Sequence, residues 1–280
     1  MVGLLGNVFS KNYPSLLATY GLTFLENIFE LLYPLLIGHA IDDLIQQKYI
    51  GIVSLASLWL VHTVVEVLRN IYDTITFTQI YNNLAVSIVL SQHQQGVAPS
   101  QIAARSALSR EFVDFFERDV PKLVTSLFSL IGSLVMLLFY DLQIVSYCLL
   151  ILIPIILIQR VFIKKSLAIN YQLNNQLERE VETLTSGNQD LVNSHYKKLA
   201  NQRIKLSNMT ALNWGATELL IIGMFILILL RTRILNLHTG DVYAVIAYAW
   251  NYRLSLDILP AIVQQLSRLK DIGARMTINE

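Results

Sequence analysis

The sequence predicts an all-α membrane protein of six transmembrane helices that run on as long helical extensions on the cytoplasmic side. Three observations carry this expectation. The 280 residues are 54% hydrophobic and 15% charged, with a mean hydropathy of +0.50, and a soluble domain of that balance would leave too little polar surface to cover its core. The apolar residues gather in six runs, about 16–37, 52–73, 123–140, 142–163, 213–230 and 242–263. A crossing takes about 20 helical residues, and a helix satisfies its own backbone hydrogen bonds in lipid. Finally, of the 21 Lys and Arg, all but Lys48, Arg231 and Arg233 fall at the termini, in the two large loops or at the span ends beside them. The positive-inside rule then puts both termini and both large loops, about 74–122 and 164–212, in the cytoplasm of a multi-pass plasma-membrane protein, the inner membrane of a bacterium.

Taken in order, the first span inserts itself. Asn12 to Ser15 breaks the run after Met1 to Phe9, and no small-residue cleavage site follows a short apolar core. Between Gly51 and Gly96 the chain has neither glycine nor proline. A helix over that stretch would rise on the order of 65 Å, about twice the hydrocarbon thickness, so its far end stands in the cytosol. The fourth helix similarly runs past Ile163 to Thr185, with Pro154 a kink. After Gly187 the chain climbs back through Lys205 into the fifth span. The outer connections are short: Gly38 to Gly51, Asp141 alone, and Thr232 to Asp241. The lone Cys148 excludes an internal disulfide and reads as packing, and the five histidines have no metal-ligand spacing. A net charge of +1 says nothing in favour of a nucleic-acid partner. No nucleophile motif or Ser-His-Asp set supports an enzyme.

Polar stripes mark the spans that face a pathway or one another. Thr19, Thr23, Glu26, Glu30 and Tyr33 recur at helical spacing on the first span, and His62, Glu66, Arg69 and Asp73 on the second. A charge at a helix centre in the bilayer costs roughly 2.5 to 3.5 kcal/mol even on the lowest scales. On the second span the spacings suggest structural pairs, Glu66 with Arg69 and Arg69 with Asp73. Glu26 and Glu30 have no basic residue on their own helix between Lys11 and Lys48. They bind a cationic group, take a proton, or are neutralised by an arginine or histidine of a neighbouring helix. Spans three and four lack charge from Leu123 to Tyr140 and from Leu142 to Leu157 and read as packing or lipid-facing. Glu218 stands alone in the fifth span, facing a cavity or another helix. The sixth carries Tyr243, Tyr248, Trp250, Asn251 and Tyr252, either a pathway wall or an interfacial belt, with Arg253 and Asp257 spaced as an ion pair.

These residues carry a resemblance. Glu26 to Ile45, with Pro34, Gly38, Ile41 and Asp42, resembles the first helix of exporter-type ABC transporter membrane domains. Glu182, Leu184, Gly187 and Val192 are similar to that family's pattern leading into its second coupling helix, and Leu266 to Glu280 resembles the segment joining the sixth span to a nucleotide-binding domain. In the first hairpin Arg105 fits the pattern, whereas Ser100 and Ser109 replace a glycine and an aspartate; Lys198 replaces an acidic residue in the second. The resemblance implies an ABC exporter-like fold with two coupling-helix hairpins, tipped by Ser100 to Ser106 and by Ser186 to Val192, Asp190 among them. It also implies a dimer that exchanges its fourth and fifth helices around a shared cavity.

The expected function follows: a transport subunit moving an unidentified substrate by alternating access as a homodimer. Glu26, Glu30, Tyr33, His62, Glu66, Glu218, Trp250 and Asn251 are its candidate pathway or proton sites. No GxxxxGK[ST] phosphate loop occurs in the sequence, so no cofactor is expected in this chain. ATP and magnesium would be held by a separate or removed ATPase. The alternatives are an ATPase-independent, proton-coupled transporter on the same scaffold and a regulatory or assembly subunit without a cargo path.

Overall fold

The computed structural model describes residues 2–185 and 187–256, and among them every regular element is helical. In chain order these are α1 (Val2–Ile45), α2 (Ile50–Gln94), α3 (Pro99–Asp114), α4 (Val120–Tyr140), α5 (Leu142–Leu150), α6 (Leu152–Glu178), α7 (Glu180–Thr185), α8 (Gln189–Ile234) and α9 (residues 239–256). Among the described residues four helical stretches are long and apolar enough to cross a membrane: Ile50–Gln94, Arg110–Tyr140, Leu142–Thr185 and Gln189–Ile234. Neither α1 nor the described part of α9 is among them. The apolar run of α1 is interrupted by Glu26, Asn27 and Glu30, and α9 carries Asp241 and Arg253. Asp257, the rest of the expected sixth span and Leu266 to Glu280 lie outside the described residues.

Prolines and glycines set the breaks. Asn12 leaves helical geometry (φ −115°, ψ 16°) two residues before Pro14, because the proline ring crowds the turn that precedes it. Pro121 has no N–H for the carbonyl of Glu117, and the helix widens there into a π turn, Phe115–Asp119, closed by Val120 N–H on Phe115 O. The interruption between α5 and α6 at Ile151 sits three residues before Pro154, at the expected kink. α2 ends on Gly96 at φ +70°, with Gly96 N–H on His93 O and Val97 N–H on Gln92 O, a Schellman closure that a side chain would strain. The first hairpin therefore turns at residues 95–98, ahead of Ser100 and Arg105. Both of those lie on α3, and their side chains fall outside the described residues.

The chain divides into two compact units. The first contains α1 to α4 and α9. At its hairpin side Leu16, Phe77, Ile80, Leu84, Phe112 and Val113 form an apolar cluster, over which Tyr20 donates to Phe116 O at 3.2 Å. At the opposite end α1 is held against the starts of two helices. Tyr49 offers α2 no capping side chain, and Asp43 Oδ2 accepts from Gly51 N–H at 2.8 Å instead. One residue earlier, Asp42 Oδ1 accepts from Gly240 N–H at 2.7 Å near the start of α9. Each carboxylate meets the positive end of a helix dipole. Glycines allow the approach: a Cβ on Gly38 would stand 2.5 Å from Gly240 O, and one on Gly51 2.6 Å from the Ala40 Cα.

The second unit, Asp141–Leu235, contains α5 to α8. Asp141 Oδ1 caps α5 by accepting from Gln143 N–H at 2.7 Å and Ile144 N–H at 3.3 Å. Arg231, near the end of α8, grips the same carboxylate through Nη2 to Oδ2 at 2.7 Å and Nε to Oδ1 at 3.2 Å. The hydrogen bonds from Arg231, then those from the two backbone amides, hold the Asp141 carboxyl below the usual carboxylate range. Between α6 and the start of α8, buried His195 shares a 2.7 Å hydrogen bond with Gln176.

Two outcomes test these contacts. Gly38→Ala and Gly240→Ala should each destabilise the detergent-solubilised protein by about 1–3 kcal/mol through overpacking. Gly223→Ala, whose Cβ meets open space, should be neutral or stabilising, and thermal unfolding of the three variants compares them directly. The Asp141 contribution should be complete above about pH 4 and shrink as pH falls toward the lowered native pKa. The melting gap between wild type and Asp141→Asn should therefore narrow on acidification; a constant gap would mean that the Arg231 pair contributes no stability.

Candidate functional site

The charged stripe of α1 faces that of α2, and the two resolve differently along their length. Glu26, 9% exposed, meets Arg69 with Oε2 at 2.6 Å from Nε. The other arm of Arg69 donates from Nη1 to Asp73 Oδ2 at 2.7 Å, one turn further along α2. The Arg69–Asp73 pair expected from spacing is present. The expected Glu66–Arg69 pair is not: among the described residues Arg69 bridges Glu26 and Asp73, while Glu66 is exposed. A carboxylate as buried as Glu26 would be costly without a counter-charge, and exposed Glu66 has no such need. Nearer the glycine junction, the Tyr33 hydroxyl and His62 Nδ1 share a 2.7 Å hydrogen bond, flanked by Phe29 and Trp59.

Beside this seam, and within the same unit, α1, α4 and α9 enclose a half-open cavity of about 560 Å³. From α1 it is lined by Asn27, Glu30, Tyr33 and Pro34, and from α4 by Phe128 and Ser129. α9 adds Tyr243, Trp250 and Asn251. Glu30 is exposed in this wall, and among the described residues it forms no ion pair. Asn27 is 3% exposed, and its Nδ2 has no hydrogen-bond partner among the described residues.

The structure thus brings Glu30, Tyr33, Trp250 and Asn251 to one cavity, with His62 behind it on Tyr33. Glu26 is withdrawn into the ion-pair network. Glu218 is half-buried on α8, in the other unit. The aromatic residues of α9 divide between two faces. Tyr248 and Tyr252 are fully buried, with Tyr248 donating to Leu31 O at 2.9 Å, whereas Tyr243 and Trp250 line the cavity. Arg253 stacks on the Trp250 ring, 5.2 Å from its centroid; its expected partner Asp257 lies outside the described residues. Sequence reasoning missed Asn27, which is off the acidic stripe, and took the third span as lipid-facing or packing, whereas it also supplies Phe128 and Ser129 to the cavity. The small polar residues Ser126, Ser129 and Ser133 on that span were the available signal.

The second hairpin tip is a turn at Gly187 (φ +62°) followed by Asn188, whose Oδ1 accepts from Asp190 N–H at 2.9 Å and Leu191 N–H at 3.3 Å. That is a standard polar start for a helix, and it leaves Gly187 and Asp190 exposed and Val192 half-buried. Glu182 and Ser186 lie outside the described side chains.

The ion-pair network has a measurable consequence. Arg69→Ala would leave Glu26 and Asp73 buried without their cation and should cost about 3 kcal/mol or more. Glu66→Gln should change stability by no more than about 0.5 kcal/mol. Comparative unfolding in detergent checks both.

No curated protein matches the sequence. A family profile does: the ABC transporter transmembrane region matches residues 7–242. The match takes in both hairpins, the whole second unit and the α1 and α4 walls of the cavity, and ends just before Tyr243 on α9. This all-helical membrane chain belongs to the ABC transporter transmembrane region family, a transport domain and not a catalytic one.

Proposed function

We propose that the chain is the membrane subunit of an exporter-type ABC transporter, moving its substrate by alternating access as a homodimer. The single observation that carries the reading is the cavity of about 560 Å³ between α1, α4 and α9, a largely apolar wall set with Asn27, Glu30, Ser129 and Asn251. It lies in a chain whose helices α2 and α8 are 45 and 46 residues long, well beyond the roughly 20 that a bilayer needs. In this reading the chain has six spans, with both termini and both hairpins in the cytoplasm. The basic-residue asymmetry supports that orientation in a bacterial inner membrane. The hairpin tips are the contact points for an ATPase, carried by another polypeptide or by another part of a longer chain, which would bind ATP and magnesium. The organisation of α5 to α8 as a unit of its own supports an exchange of spans four and five between two copies.

The test is co-expression with nucleotide-binding subunits of the same genome. One of them should co-purify with a dimer of this chain, and its ATP hydrolysis should fall when the Gly187 to Asp190 tip is replaced by a short polar linker. Substrate flux driven by a pH gradient in proteoliposomes that hold this chain alone, lost in Glu26→Gln and Glu30→Gln, would overturn the reading in favour of proton coupling.

A further inference from the structure

The cavity between α1, α4 and α9 is chemically lopsided. Its one charged lining group is Glu30, an unpaired carboxylate among the described residues. Arg69 is committed to Glu26 and Asp73, and Arg253 stacks on the Trp250 ring without lining the cavity. The wall also holds Asn27, 97% buried, whose Nδ2 donor is unsatisfied among the described residues. A buried polar group without a partner costs free energy that a ligand can recover. The remainder of the lining is mostly aromatic and aliphatic, with Tyr33, Phe128 and Trp250 among it, side chains whose chemistry suits a cation and an apolar body together. The volume, about 560 Å³, lies within the usual range for small-molecule sites, about 300–1,000 Å³.

We infer that each copy of the chain holds its own binding site for an amphipathic primary amine, with the ammonium on Glu30, a hydrogen-bond acceptor on Asn27 Nδ2 and the apolar body against the aromatic wall. The inference rests on the transport reading for its purpose, since it names the class of cargo the cavity takes. Its geometry does not need a second copy, because every lining residue belongs to one compact unit. A dimer therefore carries two equivalent sites. The amine is either a soluble compound or an aminophospholipid headgroup, which share this chemistry.

Equilibrium binding to the full chain in phosphatidylcholine nanodiscs tests it without any ATPase, so it can fail while ATP-driven transport stands, and the reverse. The probe is L-phenylalanine 2-naphthylamide, which has a primary amine, a carbonyl and a fluorescent aromatic body. It should bind with one site per chain, and its N-acetyl derivative, which lacks the charge, should bind about tenfold more weakly or worse. Glu30→Gln, a change at an exposed position, should erase the difference between the two probes. Asn27→Ala should weaken both about equally. Should that variant not fold, 2-naphthylethylamine, which lacks the carbonyl, should bind the wild-type chain more weakly than the amide. Competition by added phosphatidylethanolamine would assign the site to a lipid amine, and its absence to a soluble one. Equal binding of the charged and acetylated probes to wild type, or an unchanged preference in Glu30→Gln, would overturn the inference.

Discussion

The first unit depends on a single constraint: two helices must begin against the C-terminal end of α1, and their free N–H groups must be satisfied there. Asp42 and Asp43 do this as consecutive residues, one turned to α9 and one to α2. The backbones come close enough only because Gly38, Gly51 and Gly240 have no side chain. Because α1 is clamped at this end, its acidic stripe is held against α2 on one side, and on the other it flanks the cavity that α4 and α9 complete. The placement of Glu26 and Glu30, four residues apart on one helix, follows from that clamp. One is pressed into the seam and neutralised by Arg69, and the other is left open to the cavity.

The contrast between these two glutamates explains how a polar stripe can be structural and functional at once. A carboxylate removed from solvent must find a cation, and Glu26 finds one that Asp73 also holds, so three charges satisfy one another between two helices. Glu30 lies a turn away, where α4 brings Phe128 and Ser129 in place of a basic side chain. Among the described residues no basic side chain forms an ion pair with it. Tyr33 and His62, hydrogen-bonded to each other one turn further on, close the seam at that level.

Much of this was legible in the sequence wherever the signal is local. The absence of glycine and proline from Gly51 to Gly96 announced α2, Pro154 announced the break at Ile151, and Gly187 announced the second tip, because each acts on its own few residues. The resemblance carried by Pro34, Gly38 and Asp42 pointed to the family that the profile match establishes. What could not be read was which helix a side chain would face. Spacing rules compare residues on one helix, so they offered Glu66 to Arg69 and had no means of offering Glu26, a partner 43 positions away across a helix interface. Asn27 and Ser129 were overlooked for the same reason: each is an ordinary polar residue until α9 arrives opposite. Asp42 was noticed as part of a pattern, but its task, accepting from Gly240, becomes visible only when residues 198 positions apart are side by side.

The unbroken length of α2 gives the glycine clamp a mechanical meaning. The helix starts at the clamp and runs for 45 residues without an internal proline, so it behaves as a stiff rod of about 67 Å with its pivot at one end. A tilt of about 5° at that pivot would swing the far end by roughly 6 Å. Motion too small to break any hydrogen bond around Asp43 would thus emerge at the Gly96 turn as a displacement larger than a full helical turn's rise. The clamp and the hairpin would then be the two ends of one lever, its gearing set by the number of residues between two glycines.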